Sequence, residues 1–242
     1  MPNDHGPGAL PAVFHRGRSE TIRYHEELYA HAELGVPGSW LARPHPLVLA
    51  GLWTARESGP IVAYDLGAGV GRHTVPMAQG LADGSRVIAV DLLQTAIDRL
   101  RTNCARAGVE DAVVPVVHDL ETFDPADDAG LVVAFSAIEH VSSVEAMRRL
   151  LTRMASMTHP GGVHVIGVVC DRTEVAPNGT SRPAIVEFPL TSEAALAVVD
   201  RTYSGWDVRR RTTRPSRVAE TRDGERYEMI STLVELIAVK SD

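Results

Sequence analysis

Five short apolar segments that alternate with helical stretches constrain the fold of this chain more than any other feature. They read PIVAYDL, SRVIAVD, AVVPVVHDL, AGLVVAFS and VHVIGVVCD, and they follow one another between residues 60 and 171. The stretches between them, such as LLQTAIDRLRTNCARAG, repeat apolar residues at helical spacing. Strands that alternate with helices indicate βαβ units and a mainly parallel sheet with helices on both faces. We therefore predict a doubly wound, Rossmann-like α/β fold with a seven-stranded sheet.

The segments on either side of this alternation predict a helical lid and a closing strand pair. Ser19 is a suitable N-cap for a helix that would end at Gly35, and a second helix is predicted over residues 46–56. A predicted helix over residues 192–201 precedes WDVRRRTT and YEMISTLVELIAVK, whose alternation indicates an antiparallel strand pair at one edge of the sheet. Residues 1–18 are rich in proline and glycine and are predicted to form a flexible arm, which leaves residues 19–242 as a single domain.

Charge and composition restrict the partners of the chain. The formal net charge is -7 and no basic stripe alternates with aromatic residues, so nucleic-acid binding is not expected. No apolar run reaches the length of a membrane span and the N-terminus lacks a signal-peptide core, which predicts a cytoplasmic protein without membrane contact. Cys104 and Cys170 have neither disulfide nor metal-site spacing, so we expect reduced thiols and no metal. The single lysine, Lys240, is typical of a GC-rich bacterial genome.

A glycine-rich turn follows the first predicted strand in the segment YDLGAGVGRH, residues 64–73. Gly67, Gly69 and Gly71 stand at alternate positions, and Asp65 lies two residues before the first of them. Glycines allow positive φ and let a ligand approach the backbone, and the helix that follows presents unpaired N–H groups. The dinucleotide fingerprint G-x-G-x-x-G is not matched, because Arg72 stands where its third glycine would fall. A tight turn that only packs helix against strand is the alternative for such a loop.

Two further acidic residues end the second and third predicted strands. Asp91 closes VIAVD and Asp119 lies in HDL, so both are expected at the edge of the sheet where ligands of doubly wound folds bind. The carboxylate of Asp91 can accept hydrogen bonds from both hydroxyls of a ribose, and that of Asp119 can accept one from the exocyclic amine of adenine. Either residue alone could instead be a helix cap or a solvated charge. Their register with the glycine loop favours a nucleoside-containing cofactor.

These segments together resemble class I S-adenosylmethionine-dependent methyltransferases. The motifs that carry the likeness are YDLGAGVGRHTVPMAQ, VIAVDLLQTAIDRL, VVHDLETF and LVVAFSAIEHV, within residues 61–171. The resemblance implies that residues 61–171 are the cofactor-binding core and that the cofactor is S-adenosylmethionine, with S-adenosylhomocysteine as product. Residues 19–58 are predicted to form the N-terminal helices, and residues 172–242 the substrate-side elements and the closing strands. The cofactor-binding residues that it implies are Asp65, Gly67, Ala68, Gly69, Gly71, Arg72, Asp91, Leu92, Asp119, Leu120 and Ser136.

A narrower likeness reaches the C-terminus. HPGGVHVIGVV, FPLTSEAALAVVDRTYSGWDV and TRDGERYEMISTLVELIAVK are similar to the bacterial tellurite-resistance methyltransferases. That family carries a His-Arg pair before its last hairpin, and by alignment on DGER the pair would fall on Val218 and Ala219. This departure counts against a chalcogen oxyanion as substrate.

The implied reaction is the transfer of a methyl group to O, N, S or a metalloid atom of a small molecule. Alignment of the reactants is its main catalytic requirement, and a base is needed only when the nucleophile arrives protonated. His140 in SAIEHV is the candidate base, with a backbone-bonded structural histidine as the alternative. The candidate substrate-binding residues are Tyr24, His25, Arg182, Arg217 and Arg226, the arginines because they suit an anionic substrate.

Two other functions fit parts of this pattern. A protein that binds S-adenosylmethionine without transferring its methyl group, as a regulatory subunit or for other chemistry, would share the same motifs. An NAD-dependent oxidoreductase would share the fold, but Arg72 counts against it and Asp119 would have no role. The oligomeric state stays open, with a homodimer as one alternative.

Overall fold

One eight-stranded sheet organises the chain in a computed structural model that describes residues 12–37, 39–222 and 224–242. The strands follow the spatial order β3-β2-β1-β4-β5-β8-β7, and β6 pairs with β5 outside this path. Strands β1 to β5 pair in parallel, whereas β8 runs antiparallel to both β5 and β7. The strands are β1 Val62–Leu66, β2 Arg86–Asp91, β3 Val113–Val117, β4 Ala129–Phe135, β5 Thr158–Val175, β6 Ser181–Pro183, β7 Asp207–Arg222 and β8 Glu225–Val239.

Helices cover both faces of the sheet, as the alternation predicts. Helices α2, α3 and α4 bury Val48, Met77 and Leu100 against one face, and α5 and α6 bury Leu150 and Val199 against the other. The doubly wound α/β fold is therefore confirmed. The helices are α1 Ala12–His31, α2 Pro46–Ala55, α3 Thr74–Gly80, α4 Gln94–Ala107, α5 Val144–Ser156 and α6 Ser192–Thr202.

The strand order places a crevice at the carboxyl ends of the central strands. β1 lies between β2 and β4, so the connections after β1 and after β4 leave the sheet in different directions. Ligands of doubly wound sheets bind at such a switch point. The glycine loop and the SAIEH segment lie there, one after each of these strands.

The C-terminal part differs from the prediction in length and strand number. β5 continues to Val175 through an irregularity between Cys170 and Thr173, and the short β6 pairs with this extension to give the eighth strand. β7 and β8 are also longer than their alternating segments, because their ladder continues from Asp207–Val239 to Arg222–Glu225. The antiparallel closing pair itself is as predicted.

The N-terminal helix begins at Ala12, seven residues before the N-cap that Ser19 was predicted to provide. Tertiary packing extends it, because Phe14 is buried and Gly17 touches another segment. A Cβ on Gly17 would lie 2.2 Å from the carbonyl carbon of Val186. Of the arm predicted over residues 1–18, residues 12–18 belong to this helix, and residues 1–11 lie outside the described residues. Within the described ranges, no helix has the length and apolar character needed to cross a membrane.

Candidate active site

The glycine loop connects β1 to α3 at the crevice. Gly67 and Gly69 adopt φ of 77° and 53°, a region that favours glycine. A Cβ on Gly67 would stand 2.3 Å from the Cβ of Ala137, and one on Gly69 would stand 2.8 Å from the hydroxyl of Tyr29. The loop is therefore glycine-rich because the segment after β4 and helix α1 both pack directly on its backbone.

A first cavity, here called the strand-end cavity, lies at the carboxyl ends of β1 to β4. It encloses about 620 Å³ of empty space, including a part open to solvent. Helix α1 covers it with Arg18, Ile22 and Tyr29, and leucine side chains form its apolar walls. Several predicted cofactor residues meet in this lining, namely Gly67, Asp91, Leu92, Asp119, Leu120 and Ser136.

Asp91 lines the strand-end cavity and is hydrogen-bonded to the glycine loop. Its Oδ2 accepts a hydrogen bond of 2.8 Å from the backbone N–H of Gly69, and its Oδ1 accepts one of 3.0 Å from Leu93. Burial raises the pKa of Asp91, and the backbone hydrogen bonds from Leu93 and Gly69 act in the opposite direction. Each oxygen keeps a second lone pair, so the carboxylate can still accept from a ligand hydroxyl.

Asp119 also lines the strand-end cavity. Its Oδ1 accepts from the N–H of Glu121 at 2.9 Å, and its Oδ2 lies 3.4 Å from a guanidinium nitrogen of Arg18. Helix α1 is thus joined by an ion pair to the residue that the sequence places against adenine.

Asp65 and Gly71, which the sequence also placed at the cofactor, do not belong to the lining of either cavity. Asp65 lies beneath the loop, where it accepts a 2.6 Å hydrogen bond from the hydroxyl of Thr74. Burial raises its pKa to about 7. Its contact with the amino group of the cofactor stays a prediction.

A second cavity, here called the hairpin cavity, lies between α1, the ends of β4 and β5, and the β7–β8 hairpin. Its empty space is about 1580 Å³, including the open mouth. Phe135, Val169, Ile185 and Met229 give it apolar walls, and Val218 lines it where the tellurite-resistance family has a polar pair. Ala68, Gly69 and Arg72 of the glycine loop and Tyr24 of α1 also border it.

The two cavities share one wall. Ser136 belongs to that wall and has a φ of 54°, which is uncommon for a residue with a side chain and occurs mainly at functional sites. The two cavities therefore adjoin along this wall. The shared residues are Thr21, His25, Tyr29, Gly67, Ser136 and His140.

His140 on the shared wall forms a pair with a carboxylate that the sequence did not reveal. Its Nδ1 lies 3.1 Å and 3.2 Å from the two carboxylate oxygens of Glu187, whose side chain is fully buried. Burial alone would raise the pKa of Glu187, but the hydrogen bond with His140 lowers it to about 2. Glu187 is therefore ionised at neutral pH and fixes the Nδ1 side of the imidazole.

His25 faces this pair from helix α1. Its ring centroid lies 5.9 Å from that of His140, and its Nδ1 lies 2.8 Å from the carbonyl oxygen of Thr21. A carbonyl only accepts, so this contact places the proton on Nδ1. Burial first, and then His140, lower the pKa of His25 to about 4. His25 is therefore neutral at pH 7 and leaves Nε2 as an acceptor.

Three of the four arginines that line the hairpin cavity are paired with carboxylates, and the fourth, Arg72, donates to the backbone carbonyl of Arg43 at 2.7 Å. Arg172 donates to Glu139 at 3.0 Å, Arg214 to Glu235 at 3.1 Å, and Arg222 to Glu174 at 2.7 Å. The three arginines predicted for substrate binding do not line either cavity: Arg182 pairs with Glu174, Arg217 pairs with Glu228, and Arg226 lies exposed at the start of β8.

Residues 63–162 match the family model described as a methyltransferase domain. This part of the chain is a class I S-adenosylmethionine-dependent methyltransferase domain. The match covers β1 to β4 and the first part of β5, which is the region that carries the glycine loop, both strand-end acids and His140. The predicted enzyme class and cofactor are thereby confirmed. No curated protein matches the sequence.

Three solved structures show how widely this fold is shared. The N-methyltransferase NodS from Bradyrhizobium japonicum WM9, crystallised with S-adenosylhomocysteine, has a TM-score of 0.55 and 16% identity over 90% of this chain and 98% of its own. The 1,6-didemethyltoxoflavin-N1-methyltransferase from Burkholderia thailandensis has a TM-score of 0.56 and 18% identity, and the match covers 100% of this chain and 94% of its own. TehB from Haemophilus influenzae has a TM-score of 0.59 and 15% identity, and the match covers 81% of this chain and 62% of its own. Our chain therefore spans less than two thirds of TehB.

The strand-end cavity of the methyltransferase fits its cofactor. The carboxylates of Asp91 and Asp119 line it together with apolar side chains, and Ala137 leaves no room for a Cβ on Gly67 beside it. When bound, S-adenosylmethionine supplies a methyl group made electrophilic by the positive sulfur that carries it.

Proposed function

We propose that the methyltransferase moves a methyl group from S-adenosylmethionine to a protonated O or N atom of a neutral small molecule in the hairpin cavity, with His140 as general base. One observation carries this proposal. His140 lies on the wall that the two cavities share, and the buried carboxylate of Glu187 holds its Nδ1.

The residues of the strand-end cavity are given roles that follow their positions. Asp91 would accept from the ribose hydroxyls, and Asp119 with the backbone of Leu120 would bind adenine. Gly67 and its loop would lie along the methionine part, and Ser136 would lie near the sulfur. Arg18 would bound the adenine side, because it already contacts Asp119.

The His140–Glu187 pair suits proton removal from a nucleophile. An ionised carboxylate at Nδ1 orients the ring and stabilises the imidazolium that forms when Nε2 takes up a proton. His25 is neutral beside it and therefore adds no positive charge that would oppose protonation of His140. A positioned base of this kind contributes about 10²–10⁴-fold to the rate.

The charges of the hairpin cavity favour a neutral substrate over an oxyanion. Arg172, Arg214 and Arg222 each bind a glutamate that is almost fully buried. An anionic ligand at any of these three arginines would have to separate such a pair and leave a buried carboxylate without its partner, which is strongly unfavourable.

The test compares binding and turnover in three proteins: the wild type, His140→Asn and His31→Asn. His31 is an exposed histidine at the end of α1 and serves as the matched control. Transfer of labelled methyl from S-adenosylmethionine is measured with a panel of phenols, aromatic amines and N–H heterocycles. We expect His140→Asn to lose about 10²-fold in turnover while its affinity for S-adenosylhomocysteine stays within about threefold. Turnover of His140→Asn equal to that of the control would contradict the role of His140 as a base.

A further inference from the structure

Glu139 is a buried carboxylate in the hairpin cavity, and one of its two oxygens has no hydrogen-bond partner among the described residues. It lies beside His140 in the short helical turn Ile138–His140, and 3% of its surface is exposed. Its Oε1 accepts from Arg172, but its Oε2 is buried and has no hydrogen-bond partner among the described residues. A buried polar atom without a partner is unfavourable and uncommon in folded proteins. A bound molecule that donates a hydrogen bond would remove this deficit.

Arg172 places donors next to that acceptor. It lies in the irregular part of β5 between Cys170 and Thr173, lines the hairpin cavity, and keeps 17% of its side chain exposed. A guanidinium carries five N–H groups in one plane, and the bond to Glu139 uses one nitrogen. The pair therefore has one acceptor oxygen without a donor and further N–H groups on Arg172, with no net charge.

This arrangement discriminates between classes of ligand. A carboxylate or an oxyanion would present only acceptors and would be repelled by Glu139. An ammonium group would present only donors and would face the positive Arg172. A neutral edge with one donor beside one acceptor satisfies both residues, and the N–H and C=O of a cyclic amide have that arrangement in one plane.

The walls of the cavity fit the rest of such a molecule. Phe135 stacks on His45 with ring centroids 4.2 Å apart, and Val169, Ile185 and Met229 add apolar surface. Apolar and aromatic walls with a small number of polar groups are typical of pockets that bind small molecules.

We propose that Glu139 and Arg172 form a recognition subsite for a neutral cyclic amide, whose N–H donates to Oε2 of Glu139 and whose carbonyl accepts from Arg172. The inference rests on the proposed function, because it places the amide edge of the substrate next to His140. It also names Glu139 and Arg172 as substrate-binding residues, a role that sequence patterns did not give them.

The experiment uses matched probe pairs that differ only in the donor. 2-Quinolone and lumazine each carry an amide N–H, and N-methyl-2-quinolone and 1,3-dimethyllumazine carry methyl groups instead. Binding to the protein saturated with S-adenosylhomocysteine is measured by titration calorimetry and ligand-observed NMR. We expect at least one N–H probe to bind with a Kd below about 1 mM, and its methylated partner to bind at least tenfold more weakly.

Glu139→Gln tests the residue directly, because the amide nitrogen would replace the free acceptor by a donor. We expect this variant to lose at least tenfold in affinity for the N–H probe, while Glu193→Gln, at an exposed position of α6, behaves as wild type. Equal binding of both members of each pair, or no binding of any probe, to the loaded wild-type protein would overturn the subsite. These outcomes are separate from those for the proposed function, which fails if S-adenosylhomocysteine does not bind or if His140→Asn keeps full turnover.

Discussion

The Nδ1 atom of His140 lies 3.1 Å from the carboxylate of Glu187, although the two residues are 47 positions apart in the chain. His140 follows β4, and Glu187 lies in the connection between β6 and α6. Helix α1 closes over the pair, because Thr21 donates a hydrogen bond to Glu187 and Gly17 contacts the backbone of Val186. Three distant parts of the chain thus meet at the candidate base.

Glu187→Gln keeps the size of the side chain and removes its charge. We expect turnover to fall by about tenfold to 10²-fold, because the amide can still hold the ring but no longer stabilises the imidazolium. The affinity for S-adenosylhomocysteine should not change, since Glu187 is not in the lining of the strand-end cavity. Initial rates and calorimetric titration check both statements. Glu145→Gln, at an exposed residue of α5, is the control. A turnover rate of Glu187→Gln equal to that of the control would contradict a role of Glu187 in the reaction.

Asp91→Ala removes a carboxylate that both faces the strand-end cavity and accepts from the N–H groups of Gly69 and Leu93. Buried donors left without an acceptor cost about 1–3 kcal/mol each, and the predicted ribose contact is lost as well. We therefore expect affinity for S-adenosylhomocysteine to fall by at least about tenfold, with lower thermal stability. Asp98→Ala, on the exposed side of α4, should change neither quantity. Unchanged affinity in folded Asp91→Ala would refute the ribose assignment.

The sequence predicts those parts of the fold whose signals are local. The limits of α2 and α6 lie within one residue of those predicted. Pro46 and Ser192 give clear signals for where these helices begin. Asp91 and Asp119 could be placed at one cavity because residues at the carboxyl ends of parallel strands converge at the same edge. These inferences need only the chain order of strands and helices.

Long-range contacts explain what the sequence could not predict. The segment AIVEFP has no pattern that distinguishes Glu187 from a solvated loop acid. Arg182 and Arg217 were predicted to meet a substrate, but each pairs with a glutamate across a strand ladder, with Glu174 and Glu228 respectively. Such pairings depend on the register of β5, β6, β7 and β8, which composition and periodicity do not determine.

Gly17→Ala tests the packing of α1 on the Glu187 segment. The added Cβ would stand 2.2 Å from the carbonyl carbon of Val186, so the helix and the segment must move apart. We expect a loss of about 1–3 kcal/mol in the free energy of unfolding, as is common for overpacked sites, and a decrease in turnover. Chemical denaturation and initial rates measure the two effects.

Ser19→Ala is the matched control for that variant. Ser19 lies on the exposed side of α1 within the helix rather than at its start. Alanine has the higher helix propensity, so stability should stay equal or rise by about 0.5 kcal/mol. A clear loss on Ser19→Ala would indicate that Ser19 caps the helix in solution, as its sequence context suggested. A Gly17→Ala protein as stable as wild type would show that α1 does not pack closely on Val186.

Acid should destabilise the protein through two buried histidines, His73 and His164, and two partly buried ones, His25 and His45. Burial is the leading cause that lowers the pKa of His25 and His45 to about 4 and that of His73 and His164 to about 3. Unfolded histidines take up protons near pH 6.5, whereas these stay neutral in the folded protein, so the unfolded state binds more protons below that pH. Stability is therefore fully present above pH 6.5 and falls as the pH drops toward 4.

Two carboxyl groups act in the opposite direction but do not reverse this trend. Burial raises the pKa of Asp65 to about 7 and raises that of Asp91, so their folded forms retain protons that the unfolded chain releases. Four histidines oppose two carboxyl groups. The urea concentration at the midpoint of denaturation should therefore decrease as the pH is lowered from 6.5 to 4.5. Unfolding at pH 5.5 should take up protons, which calorimetry in buffers of different ionisation enthalpy measures. His73→Gln should make the midpoint depend less on pH, and the exposed control His31→Asn should leave the dependence unchanged. A wild-type midpoint that stays level or rises as the pH is lowered to 4.5 would show that the histidines are protonated in the folded protein.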